Sequence, residues 1–207
     1  MILKNINETI QGLAVNSIPE ERKARLQPLI EYIQDKVTMG ELINLNFICT
    51  HNSRRSHLAQ IWAQTMACYF NINQLFCFSG GTEATALYPS VKDTLERQGF
   101  KFKLTTAGKN PHYHLLFSDD APAIVAFSKK HDDLFNPSSN FAAIITCSQA
   151  DEHCPFIAGA ETRILMRYED PKTYDYSSQE KEKYTACSLQ IACEMYFVFS
   201  EINIDKS

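Results

Sequence analysis

Residues 46–62, NFICTHNSRRSHLAQIW, lead from an apolar strand pattern through a short polar stretch into a helical pattern. The run LINLNFIC (42–49) alternates apolar and polar residues, which predicts a strand that ends at Cys49. From 55 to 70 apolar residues recur at helical spacing, which predicts a helix. Ligands of parallel α/β sheets bind beyond the carboxyl ends of the strands. The polar stretch after Cys49 is therefore the first candidate for a functional site.

Strand and helix patterns alternate along the rest of the chain. Further strands are predicted at 74–79, 112–118, 122–128, 141–147 and 161–168, and further helices at 17–39, 89–98 and 177–204. This alternation predicts an α/β fold, a doubly wound parallel sheet flanked by helices, with 112–128 as an inserted β-hairpin. Residues 1–40 are predicted to form an N-terminal helical appendage, and 41–207 the α/β domain.

The helix predicted at 17–39 carries an apolar stripe that includes Leu26 and Ile30. Pro28 is expected to kink or restart this helix, and Gly40 to end it. The stripe must be covered, either by the same chain or by a partner. A homodimer formed through this arm is one such arrangement.

Composition restricts the class of protein. The chain has 207 residues, is 44% hydrophobic and carries a formal net charge of −4, which argues against nucleic acid or an anionic membrane as its main partner. No apolar run approaches the length of a membrane span, and the N-terminus lacks the layout of a secretory signal, so a cytoplasmic protein is expected. Seven cysteines without a C-x-x-C pair argue against both a disulfide framework and a zinc ribbon. No metal and no cofactor are predicted.

The polar stretch contains the pattern Cys49, five residues, Arg55 and Ser56. Backbone N–H groups in a tight loop and a helix N-terminus lower the pKa of a thiol and attract oxyanions. Arg55 can hold two oxygens of a tetrahedral oxyanion, and Ser56 could donate a hydrogen bond to the thiolate. The residues expected to bind substrate are Thr50, His51, Asn52, Ser53, Arg54 and Arg55, with Asn52 fixing the loop through its side chain and the side chains of His51 and Arg54 facing solvent.

The alternative to this interpretation is coincidence. A bare C-x5-R is expected by chance in roughly one chain in four of this composition. This one is, however, the single occurrence in the chain, and it follows a strand and opens a helix as the chemistry requires. A nucleophilic cysteine at an anion-binding loop is therefore predicted.

Cys147, at the end of the strand predicted at 141–147, and Cys154 form a second group of cysteines, with six residues between them. One interpretation is that Cys147 is a core thiol and that Cys154 lies nearby by coincidence. The other is that the two cysteines form a redox pair. A disulfide needs Cα atoms about 4.4–6.8 Å apart, whereas the ends of a regular helix over 147–154 would lie roughly 10.5 Å apart. A bond would therefore require this segment to unwind or loop. The other four cysteines are predicted to be structural: Cys68, Cys77, Cys187 and Cys193.

Asp170 precedes Pro171 after the strand predicted at 161–168, and it is the candidate acid for a leaving oxygen. The alternative is an ordinary Asp-Pro turn. Glu169 is expected to be a solvated neighbour.

CTHNSRRS (49–56) resembles the phosphate-binding loop of low-molecular-weight protein tyrosine phosphatases and of the thioredoxin-coupled arsenate reductases that share their fold. FSGGTE (78–83) is similar to the family's second strand and the segment after it, and Asp170 matches the family's Asp-Pro motif. The resemblance runs from about 42 to the C-terminal helix. It implies the phosphatase fold, catalysis by Cys49 and Arg55, and an acid at Asp170.

The pair Cys147 and Cys154 is similar to the arsenate reductase branch. That resemblance implies that Cys49 attacks arsenate, that Cys147 then attacks Cys49 as arsenite leaves, and that Cys154 attacks Cys147. Thioredoxin or a similar dithiol would reduce the final disulfide. Two departures bear on the comparison. Lys172 and Thr173 stand where phosphatases of the family place aromatic residues, and Gln60 stands where some reductases have a glutamate of a potassium site.

Two alternatives to arsenate reduction remain open from the sequence. A phosphatase for phosphotyrosine or a small phosphoester needs Cys49, Arg55 and Asp170 but neither later cysteine. A non-enzymatic sensor of anions or redox state would bind an oxyanion without turnover.

Overall fold

The computed structural model describes residues 1–153 and 156–204. Its strands are β1 (Ile43–Cys49), β2 (Leu75–Gly81), β3 (Lys101–Thr106), β4 (His112–Leu116), β5 (Ile124–Ala126), β6 (Phe141–Ile145) and β7 (Ala160–Leu165). Its α-helices are α1 (Lys4–Gln11), α2 (Glu20–Met39), α3 (Arg55–Tyr69), α4 (Pro89–Arg97), α5 (Ser148–His153) and α6 (Glu180–Ser200). Short 3₁₀ turns cover Val15–Ser17 and Pro171–Tyr174.

The main sheet contains four parallel strands in the order β2–β1–β6–β7. Helices flank it, so the predicted α/β fold with a parallel sheet is confirmed. The last residues of β1 and β2, Cys49 and Gly81, pair with each other. Cys147 follows the end of β6, the strand on the other side of β1. The topology therefore brings both cysteines to the carboxyl edge of the sheet.

The predicted hairpin at 112–128 is present as the antiparallel pair β4–β5, with shorter strands than expected. A third strand, β3, extends it into a separate antiparallel sheet in the order β3–β4–β5. This strand was not predicted, although KFKLTT begins by alternating lysines with apolar residues. Between β4 and β5, the Ser118 hydroxyl accepts the N–H groups of Asp120 and Ala121, which turns the chain before β5 begins.

Apolar side chains cover both faces of the main sheet. On one face, Ile43, Leu45 and Phe47 of β1 belong to the large core with α2, α3 and α6. Within that core the Trp62 indole donates a hydrogen bond to Ser188 of α6 at 2.9 Å. On the opposite face a smaller cluster joins β1 and β6 to α5; it contains Ile48, Cys49, Phe141, Ala143, Ile145, Cys147, Ala150 and Ile157.

The N-terminal helices pack into the large core. Leu26, Leu29 and Ile33 of α2 are fully buried there, so the same chain covers the apolar stripe of this helix. Arg22 fixes α2 to α6 through two hydrogen bonds to the Glu194 carboxylate, at 2.8 and 2.7 Å. A homodimer through the arm stays a prediction.

Several element boundaries differ from the prediction. One continuous helix runs through Pro28, and it begins at Glu20 because Ser17 lies in a 3₁₀ turn. Gly40 ends it in the left-handed conformation (φ +68°), as predicted. The last helix begins at Glu180, three residues after a turn in which Ser177 accepts the Gln179 N–H. Among the described residues, no helix combines the length and apolar character needed to cross a membrane.

Candidate active site

The loop from Cys49 to Ser56, here named the Cys49 loop, turns its carbonyl groups outward. The outward bonds are Thr82 N–H to the Cys49 carbonyl (3.1 Å), Glu83 N–H to Thr50 (2.8 Å), the Ser128 hydroxyl to His51 (2.9 Å) and Tyr88 N–H to Ser53 (3.0 Å). In a trans peptide, the N–H of the next residue points away from each carbonyl. Within 1–153 and 156–204, no backbone N–H from Thr50 to Ser56 donates to a protein acceptor. These donors and the start of α3 form a cradle for an anion.

Cys49 lies at the base of this cradle, 5% exposed at the end of β1. The Ser56 hydroxyl oxygen lies 3.1 Å from its Sγ, and the Asn52 amide donates to that same hydroxyl at 2.9 Å. Asn52 adopts a positive φ of +43°, which asparagine tolerates better than most residues. Its Oδ1 also accepts the backbone N–H of Lys129 at 2.9 Å. The expected contacts of Ser56 with the thiol and of Asn52 within the loop are therefore present.

Two glycines allow β2 to end directly against the loop. A Cβ on Gly81 would lie 2.4 Å from the Glu83 carbonyl oxygen and 2.6 Å from that of Thr50. A Cβ on Gly80 would lie 2.4 Å from the Cα of His131. This role of the two glycines was not predicted, although adjacent glycines after a strand are a signal of close backbone approach.

Arg55 joins the loop to the candidate acid. It is 8% exposed, and its Nη1 donates to the Tyr168 carbonyl at 3.0 Å. Its Nη2 donates to Asp170 Oδ2 at 2.5 Å, while Asp170 Oδ1 accepts the Lys172 N–H at 3.1 Å. The Asp170 side chain is about a third exposed, at the rim above the loop. The structure therefore brings Cys49, Arg55 and Asp170 to one site, where a bound oxyanion would compete with Asp170 for the guanidinium.

The Arg54 side chain does not face solvent as predicted. Its side chain is 12% exposed and pairs with Asp175, which is 11% exposed, at 2.5 Å. Its Nε donates to the Tyr184 hydroxyl at 2.5 Å, and Tyr184 donates in turn to Asp175 at 2.6 Å. The guanidinium carbon lies 3.9 Å from the centroid of the Tyr88 ring. We name these four residues the Arg54 clamp. The prediction of a solvent-facing Arg54 is wrong because its partners lie in distant parts of the chain.

His51 keeps its side chain at the surface, where its Nε2 lies 3.6 Å from a Glu83 carboxylate oxygen. Ser53 is buried within the loop, and Thr50 is half-buried on the side that faces Cys147. The loop side chains thus fall into two groups. Those of Asn52 and Arg54 hold the structure, whereas those of Ser56 and Arg55 reach the Cys49 thiol and Asp170.

Cys147 is 1% exposed and belongs to the same apolar cluster as Cys49. Its Sγ lies 3.5 Å from the Thr50 hydroxyl oxygen and accepts the Ala150 N–H at 3.3 Å. The structure therefore places this second thiol against the Cys49 loop, with α5 following it directly. Cys154, its predicted partner, lies outside the described residues.

Two further groups near the site carry shifted pKa values. Burial raises the pKa of the Cys187 thiol to about 12, even though the charge of Arg55 acts in the opposite direction. Burial lowers the pKa of His57 to about 3, with a further contribution from the charge of Lys129. Cys187 is therefore a neutral thiol and His57 a neutral imidazole near pH 7. Neither competes with Cys49 as a nucleophile or with Asp170 as an acid.

Gln60 brings no negative charge to a potassium site. Its Nε2 donates to the Cys77 carbonyl at 3.0 Å, and it contributes no charge. The Lys129 side chain is 2% exposed and lines the same cavity as Gln60, so a cation there would meet a buried ammonium.

No family model and no curated protein matches this chain. Solved structures, however, are similar to it. A low-molecular-weight phosphotyrosine phosphatase from Vibrio cholerae O395 is 14% identical, covering 76% of this chain and 94% of its own, with a TM-score of 0.51. A mutant of YwlE from Bacillus subtilis is 12% identical, covering 76% and 97%, with a TM-score of 0.50. The chain has the low-molecular-weight phosphatase fold.

An arsenate reductase from Archaeoglobus fulgidus is also similar, with 16% identity, coverage of 75% and 98%, and a TM-score of 0.49. Identities this low establish the fold alone. The activity must therefore be argued from the site of this chain.

Proposed function

We propose that the protein reduces arsenate to arsenite, using Cys49, Cys147 and Cys154 in turn and thioredoxin or a similar dithiol as the electron donor. The observation that carries the proposal is the position of Cys147. Its thiol shares a buried cluster with Cys49 and lies 3.5 Å from the hydroxyl of the loop residue Thr50. Phosphoester hydrolysis does not require a second thiol beside the Cys49 loop, whereas disulfide transfer does.

In the first step the Cys49 thiolate attacks the arsenic of bound arsenate, forming an S–As bond. The inward N–H groups of the loop and Arg55 hold the remaining oxygens. Asp170 gives a proton to the departing oxygen, which leaves as water. Ser56, 3.1 Å from Sγ, stabilises the thiolate before the attack.

In the second step the Cys147 thiolate attacks Cys49 Sγ. The Cys49–Cys147 disulfide forms, the S–As bond breaks, and its electron pair stays on arsenic, which leaves as arsenite. In the third step Cys154 attacks Cys147, which frees the Cys49 thiolate and leaves a Cys147–Cys154 disulfide. An external dithiol reduces that disulfide and is itself oxidised, so two electrons pass from the dithiol to arsenic in each cycle.

This sequence of steps requires α5 to open. In the described structure Cys147 is followed by helix from Ser148 to His153, and Ala150 N–H bonds its Sγ. Since a regular helix would hold the two cysteines roughly 10.5 Å apart, a Cys147–Cys154 bond forms only when this turn unwinds. Loss of the Ala150 hydrogen bond would free the Cys147 sulfur for attack.

The test is arsenate reduction with a thioredoxin system, run beside phosphate release from p-nitrophenyl phosphate. Cys154→Ser should complete one turnover and stop, and Cys147→Ser should stop before arsenite is released. Cys68→Ser, a half-buried thiol on α3, is the matched control and should cycle normally. Sustained turnover of arsenate in Cys154→Ser would exclude the proposal.

The second candidate is a phosphatase, which needs the paired Arg55 and Asp170 but neither later cysteine. Cys49, Arg55 and Asp170 suffice for a phosphocysteine intermediate and protonation of the leaving group. The structural neighbour with the TM-score of 0.51 is itself a phosphotyrosine phosphatase. Lys172 and Thr173 supply no aromatic ring after Pro171, which favours a small phosphoester over phosphotyrosine. Full phosphatase turnover in Cys147→Ser/Cys154→Ser, without arsenate reduction by wild type, would establish this alternative.

A further inference from the structure

A cavity separate from the Cys49 loop lies between α3, β2 and the segment that leads into β5. Its volume is about 560 Å³, within the range of small-molecule sites. Neither Cys49 nor Arg55 lines it. Most of the wall is apolar, including Ile72, Leu75, Phe78, Phe117 and Ile124. The cavity therefore suits a ligand with an apolar body.

One wall residue, Lys129, carries a buried charge. It is 2% exposed, and among the described residues its ammonium has no carboxylate within 4.0 Å and no hydrogen-bond acceptor. Its Nζ lies 4.6 Å from the centroid of Phe127 and 5.8 Å from that of Phe135. Burial lowers the pKa of Lys129 to about 8, while Asp133 acts to raise it. The ammonium is therefore still mostly protonated at pH 7, and it lines the cavity without a carboxylate partner.

A buried polar atom without a partner also belongs to this wall. Gln60 is 4% exposed and its Nε2 donates to the Cys77 carbonyl, but within the described chain its Oε1 has no hydrogen-bond partner. Buried polar groups are usually paired, so a cation without a partner on the cavity wall indicates a site that an anion completes. The Gln60 oxygen is an acceptor and would take a hydrogen-bond donor, so the argument for an anion rests on Lys129.

We propose that this cavity binds a carboxylate with a single apolar body, of the fatty-acid class, with its negative charge on the Lys129 ammonium. Charge complementarity selects the anion, because a neutral ligand would leave the buried ammonium unpaired. The other charges on the lining, the Met1 ammonium and the Asp120 carboxylate, pair with each other, so the remaining apolar walls select a ligand without further charge.

Lys129 also connects the cavity to the Cys49 loop. Its backbone N–H donates to Asn52 Oδ1 at 2.9 Å, and its carbonyl accepts the Gly81 N–H at 2.9 Å. Asn52 in turn donates to Ser56, which contacts the Cys49 thiol. The residue that would hold the carboxylate thus also supports the loop.

The experiment measures binding of decanoate and of its uncharged analogue decan-1-ol by calorimetry, using the full chain. Wild type should bind decanoate about tenfold more tightly than the alcohol, and Lys129→Met should bind the two equally. Lys130→Met, which changes the exposed neighbouring lysine, is the matched control and should keep the preference. Ala123→Trp, which fills the cavity from its half-exposed edge, should lose both ligands.

Two results would overturn the proposal: no decanoate binding by wild type, or an equal preference for decanoate in wild type and Lys129→Met. Because Lys129→Met replaces a buried side chain, its fold is checked by circular dichroism. Should that variant not fold, Ala123→Trp decides alone, and unchanged decanoate binding there excludes the cavity. These readouts do not depend on arsenate or phosphate turnover, so they stand apart from the proposed activity.

Discussion

Replacing Arg54 by methionine is expected to cost about 3–5 kcal/mol of unfolding free energy, the range for removing one partner of a buried ion pair. The structure places the pair in that class, because the Arg54 and Asp175 side chains are only 12% and 11% exposed. The methionine would leave the Asp175 carboxylate buried with Tyr184 as its remaining hydrogen-bond donor among the clamp residues. The contact with the Tyr88 ring, at 3.9 Å from the guanidinium carbon, would also be lost.

The measurement is urea unfolding followed by circular dichroism, with the unfolding free energy obtained by linear extrapolation. Arg25→Met is the matched control. Its partner Glu21 and Arg25 itself are 80% and 60% exposed, so its loss should stay below about 1 kcal/mol. Asp175→Asn in the Arg54→Met background removes the stranded charge and should recover part of the lost stability. The burial argument is refuted if Arg54→Met costs no more than Arg25→Met.

Three further predictions concern the site itself. Asp170→Asn should lower kcat for a substrate with a poor leaving group by about 10²–10⁴-fold, and much less for p-nitrophenyl phosphate; equal losses on both substrates would contradict an acid role. Gly81→Ala, whose Cβ would lie 2.4 Å from a backbone oxygen, should destabilise the protein by about 1–3 kcal/mol in thermal unfolding and lower its activity in rate assays. In the control Gly12→Ala the Cβ would lie 3.5 Å from its nearest atom, and neither stability nor activity should change. Burial lowers the pKa of His57 to about 3, so below pH 6.5 the unfolded chain binds a proton that the folded chain does not. As the pH is lowered from 6.5 to 5, the unfolding free energy of wild type should fall more steeply than that of His57→Gln, by up to about 1.4 kcal/mol per pH unit. The control His114→Gln changes an exposed histidine and should keep the wild-type slope.

The main sheet and the Cys49 loop could be predicted because their signals are local in the sequence. Strand, polar loop and helix follow one another within residues 42–70, and parallel strands place their carboxyl ends on one edge. The strand β3 escaped detection since KFKLTT is mostly exposed and only partly alternates in hydrophobicity. Element ends moved by a few residues where side chains such as Ser118 capture backbone donors.

The environments of charged side chains could not be predicted in this way. Arg54 looks like a solvated loop residue because its partners Asp175 and Tyr184 lie more than a hundred positions later. Lys129 stands in SKKHDD, a run of charges that normally indicates a solvent-exposed face, yet it is buried and its neighbour Lys130 is exposed. Tertiary packing decides between such neighbours, and the local sequence does not record it.

The two adjacent arginines of the loop have complementary tasks. Arg55 pairs with Asp170 and Arg54 with Asp175, and both carboxylates belong to the segment around the 3₁₀ turn Pro171–Tyr174. While its Oδ2 accepts from Arg55, Asp170 cannot face a leaving oxygen. An oxyanion that takes the Arg55 guanidinium would release Asp170, and the Arg54 pair would keep the segment in place as it does so. We infer that the Arg54–Asp175 pair lets Arg55 and Asp170, whose carboxylate is about a third exposed, exchange partners, because the acid stays above the loop in both states.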